Sequence, residues 1–236
     1  MKRSTLQALN RARKEGRPIV RVVDLQTADE RLFEPGAETS AMGVAATQAA
    51  RTDRSAPVEI DGSDCFVAVH NPPLEMVIIG AVHIAQVLAP MASLAEYGVR
   101  IIDPRTAFAT KERFPGVVLT HDWPDEALAK QPLGPRSALI ALTHDPKLDD
   151  PALAAALQSN CFYIGALGSK KTHAGRLARL KAHGFSDDAL KRIHGPIGLD
   201  IGAKTPAEIA ISILAEMTLR LRTDGSWERS ATRATA

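Results

Sequence analysis

The chain has 236 residues, a formal charge of +2, 45% apolar residues and 4% aromatics. That length and apolar content suit one large domain, or a medium one with a small companion, with a core that needs no disulfides. Near-neutral charge and scarce stacking residues argue against nucleic acid, and no apolar run approaches the roughly eighteen residues of a membrane span.

Residues 4–15 read as a helix that stops at Gly16, and Ile19-Val20-Arg21-Val22-Val23 as a strand. A helix over 41–51 leads to apolar runs at 57–60 and 65–69 around Asp61-Gly62, which predicts a hairpin. Asn71-Pro72-Pro73 continues neither strand nor helix easily and marks a boundary, so residues 1–72 are expected to form a small α+β domain. From Leu74 strands alternate with helices. The strands are expected at 75–79, 99–102, 116–120, 137–143 and 162–164, and the helices at 83–97, 124–130, 151–158, 172–183 and 187–194. Pro90 should kink the first of these helices. Thr205-Pro206-Ala207-Glu208 is a capping box with proline at the first helical position. It opens a last helix whose stripe of Ile209, Ile213, Leu214, Met217 and Leu221 should pack on a sheet. The alternation predicts an α/β protein with a Rossmann-like, doubly wound parallel sheet over 73–223. Residues 224–236 are expected to be a disordered tail. Met1-Lys2-Arg3-Ser4-Thr5 leads into no signal core, and Cys65 and Cys161 show neither pairing nor ligand spacing, which suits a reducing, cytoplasmic setting.

Open α/β sheets bind ligands beyond the carboxyl ends of their strands. Here those ends read Gly80-Ala81-Val82-His83, Asp103-Pro104-Arg105, Thr120-His121-Asp122, Thr143-His144-Asp145 and Gly165 through His173. Four of the seven histidines (His83, His121, His144 and His173) fall on that edge. Histidine there serves proton transfer, anion binding or metal ligation, and it caps helices equally well; the spacing matches no standard zinc motif. Phe162 to His173 is the most telling stretch, a short strand, a glycine turn and the start of a basic helix. Gly165 and Gly168 permit close backbone approach, and the helix start with Ser169, Lys170, Lys171 and Thr172 suits a phosphate. No glycine stands five residues before Gly168, and Lys170 is not followed by Ser or Thr, so this is not a Walker loop. A plain capped turn is the structural alternative.

The first strand-to-helix turn nearly matches a dinucleotide fingerprint, with Asp103 placed to hold a ribose hydroxyl, but Val82 replaces the central glycine. Asp103 has other uses, in contacting a different hydroxyl or in capping its loop through Arg105. Gly198-Leu199-Asp200-Ile201-Gly202-Ala203-Lys204 sets a carboxylate and a lysine among glycines before the last helix, either facing the same pocket or satisfying the loop. Cys161 is expected to be an inert core residue, and Arg176, Arg179 and Lys181 a solvated helix face.

Together with Gly80-Ala81-Val82-His83-Ile84-Ala85, Leu142-Thr143-His144-Asp145-Pro146-Lys147-Leu148-Asp149-Asp150 and Pro196-Ile197-Gly198-Leu199-Asp200, these segments resemble the xanthine dehydrogenase accessory family. Its members are also called XdhC/CoxF or CoxI-like maturation factors. The likeness covers residues 80–206, whereas residues 1–70 lack the Gly-Ser-x-Pro-Arg segment seen in relatives. The resemblance implies a cofactor chaperone rather than an enzyme. Such a protein binds the molybdenum cofactor (molybdopterin) transiently and presents it for sulfuration by a cysteine desulfurase. It then delivers the cofactor to the apoenzyme of a molybdenum hydroxylase of the xanthine or carbon monoxide dehydrogenase type. A cleft between two domains and a homodimer are further expectations. By position, Gly165, Gly168, Ser169, Lys170 and Lys171 would take the phosphate, and His144, Asp145 and Asp200 the pterin or metal side. Gly80, His83, Asp103 and Arg105 complete the expected cofactor-binding set. Two other readings stay open: an NAD(P)-dependent oxidoreductase on the same sheet, and a scaffold whose pocket is vestigial.

Overall fold

The structure is a computed structural model that describes residues 1–223. The tail expected over 224–236 lies outside the described residues. Close contacts divide the chain into a unit Met1–Pro72 and a second that begins at Pro73.

The first unit runs α1 (Arg3–Lys14), β1 (Ile19–Asp24), β2 (Glu30–Phe33), α2 (Ala41–Thr52), β3 (Ala56–Ile60) and β4 (Ser63–His70). Its strands form an antiparallel sheet in the order β2-β1-β4-β3. The expected hairpin is β3–β4, and Asp61 and Gly62 both take positive φ, +51° and +77°, as a tight turn between right-twisted strands requires. Ser40 caps α2 by accepting from the Gly43 amide. Val20, Val22, Phe33, Ile60, Cys65 and Val67 turn inward beneath Ala46 and Ala50 of α2. Strand β2 has no counterpart among the sequence expectations, because Glu30-Arg31-Leu32-Phe33 follows a polar stretch and is short; pairing with β1 and the burial of Phe33 hold it.

The second unit runs β5 (Leu74–Ile79), α3 (His83–Leu94), β6 (Tyr97–Ile102), β7 (Val118–Thr120), α4 (Pro124–Lys130) and β8 (Ser137–Ala141). It continues through α5 (Pro146–Gln158), β9 (Tyr163–Ala166), α6 (Lys170–Ala182), α7 (Asp187–Leu190), β10 (Ile193–His194) and α8 (Pro206–Arg222). The strands form one parallel sheet in the order β10-β9-β8-β5-β6-β7. Ile78, Ile79, Ile101, Ile102, Leu139 and Ile140 are fully buried, the near-continuous apolar reading of strands covered on both faces. Each such side chain contributes about 1.5–3 kcal/mol. Leu88 of α3 with Ile213 and Met217 of α8 fill one face, and Leu153 of α5, Leu180 of α6 and Ile193 of β10 fill the other. The order reverses between β5 and β8, which makes their carboxyl ends the switch point where such sheets bind ligands.

Two expectations are corrected. Helix α5 begins at Pro146 rather than 151, because the Asp145 carboxylate caps the Lys147 amide and proline suits the first helical position. Pro151 costs that helix an amide without ending it. The helix expected over 187–194 is the short α7 followed by β10, whose Ile193 and His194 pair with Ile164 and Gly165. An available strand edge has overridden local propensity there. Pro90 lies inside α3.

Candidate functional site

The turn after β5 is locked from below. Gly80 has φ +105°, and a Cβ on it would lie 2.5 Å from the Thr143 methyl, so only glycine lets the two loops touch. The Ala81 amide donates to Asp103 Oδ2 at 2.8 Å. Asp103 Oδ1 also accepts from the Arg105 amide at 3.0 Å and from Arg105 Nε at 2.9 Å, and Oδ2 from Nη2 at 2.8 Å. Burial by itself would raise this carboxyl, but the bonds from Arg105 and Ala81 outweigh it and hold Asp103 below its ordinary value of 3.8. Asp103 is 0% exposed, so its acceptors are spent on the protein and none faces a ribose. It caps its loop through Arg105, the alternative left open by the sequence. The Arg105 side chain is 40% exposed and lies over the Phe108 ring at 4.9 Å.

The loop after β8 satisfies itself. The Thr143 amide and hydroxyl both donate to Asp149 Oδ1, at 3.3 and 2.7 Å, and Asp145 caps the start of α5. His144 between them is exposed and has φ +62°. A left-handed non-glycine residue costs of order 1–3 kcal/mol, and His144 carries that cost in the loop beside the switch point.

The turn after β9 does the opposite. Gly165 is glycine for packing, since a Cβ would lie 2.7 Å from Tyr163 Cε1 and closer still to Ile197. Gly168 has φ +141°. Ser169 caps α6 by accepting from the Thr172 amide at 3.1 Å. Among the described residues no acceptor takes the amides of Gly168, Ser169, Lys170 or Lys171. Both lysine side chains are exposed and the first turn holds no acid. Consecutive free amides at a helix start beside two cations give that turn a local positive potential. Helix α3, two strands away in the sheet, also starts without a side-chain cap or an acid.

Arg176 is corrected. It is 2% exposed, not a solvated face, and its Nη2 lies 3.4 Å from Asp149 Oδ2 and 3.0 Å from the Leu167 carbonyl. Burial pushes the Asp149 carboxyl up, with the Thr143 hydrogen bond and the Arg176 charge opposing. The spacing of α6 carried the signal: Arg176 and Leu180, four residues apart, are both buried on one stripe. Arg179 and Lys181 do face solvent, paired with Asp150 and Asp187.

A second polar cluster escaped the sequence reading. Glu216 Oε2 accepts from the Tyr163 hydroxyl at 2.5 Å and from the Gly198 amide at 2.8 Å, and Oε1 meets His194 Nδ1 at 2.9 Å. The Tyr163 and His194 rings stack at 4.8 Å. Burial works to raise Glu216, but His194 and Tyr163 hold it below its ordinary value. This cluster pins the foot of the loop that carries Asp200, which is itself exposed. His173 is half-buried, and burial, with Arg176 and His194 nearby, lowers its pKa. Cys161 is buried with Sγ 3.6 Å from the Ala156 carbonyl, and burial raises its thiol, the inert reading.

Strand order therefore sets the turns after β9, β8, β5 and β6 side by side, with Gly80, Arg105, His144, Asp145 and Gly165 to Lys171 along one edge. His83 and His121 are exposed on that same edge. No group of three or more His, Cys, Asp or Glu that could hold a metal ion occurs among the described residues. No helix among them is long and apolar enough to cross a membrane. A groove of about 650 Å³ between α4 and α5, lined by Leu128, Pro132, Pro151 and Gln158, lies away from this edge.

Comparison with known proteins bears on the same edge. The chain is 32% identical over 152 residues to the molybdenum cofactor insertion chaperone PaoD of Escherichia coli (strain K12), covering 64% of this chain and 42% of that protein. It is 30% identical over 156 residues to a probable xanthine dehydrogenase subunit of Bacillus subtilis (strain 168), covering 66% and 45%. The Escherichia coli (strain K12) protein YqeB is 30% identical over 162 residues, covering 66% and 30%. The chain thus spans less than half the length of these relatives. A crystal structure from Bacillus halodurans described as a xanthine dehydrogenase shares the fold, with a TM-score of 0.65 at 24% identity over 95% of this chain and 66% of that one. The model of the XdhC Rossmann domain matches residues 76–217, which spans β5 to α8 and every turn described above, and the chain belongs to the XdhC family.

Proposed function

We propose that this chain binds the molybdenum cofactor as cargo and passes it to an apoenzyme of the xanthine dehydrogenase type. The observation that carries the reading is the run of free amides from Gly168 to Lys171 with Lys170 and Lys171 beside it, a built receptor for a phosphate monoester such as the pterin's. The role that the PaoD relative is named for supports the same cargo. In this account Lys170, Lys171 and the α6 amides hold the phosphate. His144 and Asp145 face the ring from the next turn, and Asp200 approaches from the loop that Glu216 pins. Asp103 and Arg105 hold the floor rigid without needing to touch the cargo. Presentation for sulfuration by a cysteine desulfurase, a homodimer and a carbon monoxide dehydrogenase client belong to the same proposal. Binding must be tight enough to protect the cofactor and loose enough to release it, which suits a shallow edge site with exposed cations.

The NAD(P) reading keeps the uncapped start of α3 but loses its ribose acceptor, because the Asp103 carboxylate is filled by Ala81 and Arg105. The test is the small-molecule content of the protein purified from a molybdopterin-producing host. Near-stoichiometric pterin supports the proposal. Nicotinamide nucleotide without pterin would sink it, and a protein that is empty and takes up no added cofactor would favour the scaffold.

A further inference from the structure

The phosphate cradle and the His144 loop belong to different turns, and nothing in their own sequences joins them. The joint is made underneath, by side chains far apart in the chain. Arg176, the seventh residue of α6, holds the carbonyl of Leu167 at the base of the glycine turn through Nη2. The same nitrogen faces Asp149 Oδ2. Asp149 in turn accepts from both the amide and the hydroxyl of Thr143, and that hydroxyl accepts from the Asp145 amide at 3.0 Å. The Thr143 methyl rests on Gly80, where any Cβ would intrude. One connected path thus runs from the turn after β9, through α6 and α5, to the turns after β8 and β5.

Arg176 and Asp149 are 2% and 1% exposed. Two such groups are costly to bury, and a hydrophobic pair of similar volume would serve the core at least as well. Arg176 Nε and Nη1 find no acceptor among the described residues, and the contact to Asp149 is long, so the pair is poorly optimised as a stabilising salt bridge. Its geometry suits the spacing of two loops instead.

We infer that Arg176 and Asp149 are positioning residues that fix the His144 loop relative to the glycine turn, so that the two turns present a single surface to one ligand. His144 is held in its left-handed conformation between Thr143 and Asp145, both anchored on this path. The inference rests on the cofactor reading for the identity of the ligand, but not for the joint itself.

The test uses the full chain with Arg176→Met, Arg176→Lys and the double variant Asp149→Leu with Arg176→Met. The double variant leaves no lone buried charge but takes the acceptor from Thr143 and the donor from Leu167, so it should melt modestly below the wild type, and Arg176→Met alone, which strands Asp149, should melt lower still. Amide exchange in residues 142–149 and affinity for added molybdopterin are read on each. The expected result is faster exchange at Thr143 and His144 in every variant, together with binding about tenfold weaker in the folded double variant, the size of one missing charge-assisted hydrogen bond. Arg176→Lys, which keeps the charge with a shorter reach, should fall between. Wild-type exchange and affinity in the double variant would overturn the inference, as would faster exchange with unchanged affinity. If the wild type itself takes up no molybdopterin, the cofactor reading fails separately. Exchange at 142–149 in Arg176→Met, which keeps the Thr143 acceptor, then decides the joint: acceleration beyond that of the chain as a whole supports it and no change overturns it.

Discussion

Replacing Asp103 by asparagine keeps the shape of the side chain and removes half of its acceptor capacity. Four donors now converge on the carboxylate: the Ala81 amide, the Arg105 amide, and Arg105 Nε and Nη2. An asparagine oxygen can serve only one side of that arrangement, and its amide group then opposes the donors on the other. If the oxygen stays with Arg105, the Ala81 amide is left buried without a partner, which costs about 1–3 kcal/mol. If it turns to Ala81 it also keeps Arg105 Nη2, and the Arg105 amide and Nε lose their acceptor; the 40% exposed side chain recovers much of its share from water, whereas the amide adds about 1 kcal/mol. Opposed dipoles in a fully buried site add to either choice, so the expected cost is about 2 kcal/mol, or roughly 4–8 °C in melting temperature for a unit of this size. The assay is urea unfolding of wild type and variant across acid pH. Because the folded Asp103 carboxyl lies below 3.8, its contribution is present above that pH and is lost as pH falls through the lower folded value. The gap between the two proteins should therefore close on acidification. A loss under ~0.5 kcal/mol at neutral pH, or a gap that widens in acid, would refute the assignment of Asp103 as the lock of this turn.

Gly165→Ala should cost about 1–3 kcal/mol in urea unfolding, because its Cβ falls on Tyr163 and Ile197, whereas Gly175→Ala, whose nearest neighbour is Arg179 Nη1 at 3.8 Å, should stabilise by roughly 0.5–1 kcal/mol. His144→Gly should melt within ~1 kcal/mol of wild type, since glycine accepts the left-handed backbone, while weakening molybdopterin binding in an equilibrium titration. The folded His173 titrates below its ordinary 6.5, so the unfolded chain binds its proton first and stability is lost as pH falls below 6.5. Between about pH 7.5 and 5.5 the wild-type urea midpoint should fall more than that of His173→Gln, with His70, shifted the same way, contributing equally to both.

Local signals are legible wherever one segment carries them. The Asp61-Gly62 hairpin, the Thr205 capping box and the buried parallel strands all follow from residues within a few positions of each other. Short elements that depend on distant partners are not: β2 pairs with β1, and β10 with β9. The edge that carries the candidate site is legible because strand ends and glycines mark it. Its supports are not, because they join residues distant in sequence, 27 positions apart for Asp149 and Arg176 and 53 for Tyr163 and Glu216. Arg176 shows the reason most plainly. Basic residues crowd its helix, and composition makes it look solvated while the helical period turns it inward.

The most direct test of the account is an equilibrium titration of molybdopterin against the wild-type chain and the double variant Lys170→Ala with Lys171→Ala. Both lysines are exposed and carry no structural hydrogen bond among the described residues, so the variant should fold and melt as the wild type does. If they hold the phosphate with the free amides of the turn, affinity should fall by about 1.5–3 kcal/mol for each charge-assisted hydrogen bond removed, tenfold or more in all. Unchanged affinity in a folded variant would contradict the phosphate cradle and remove the glycine turn from the mechanism.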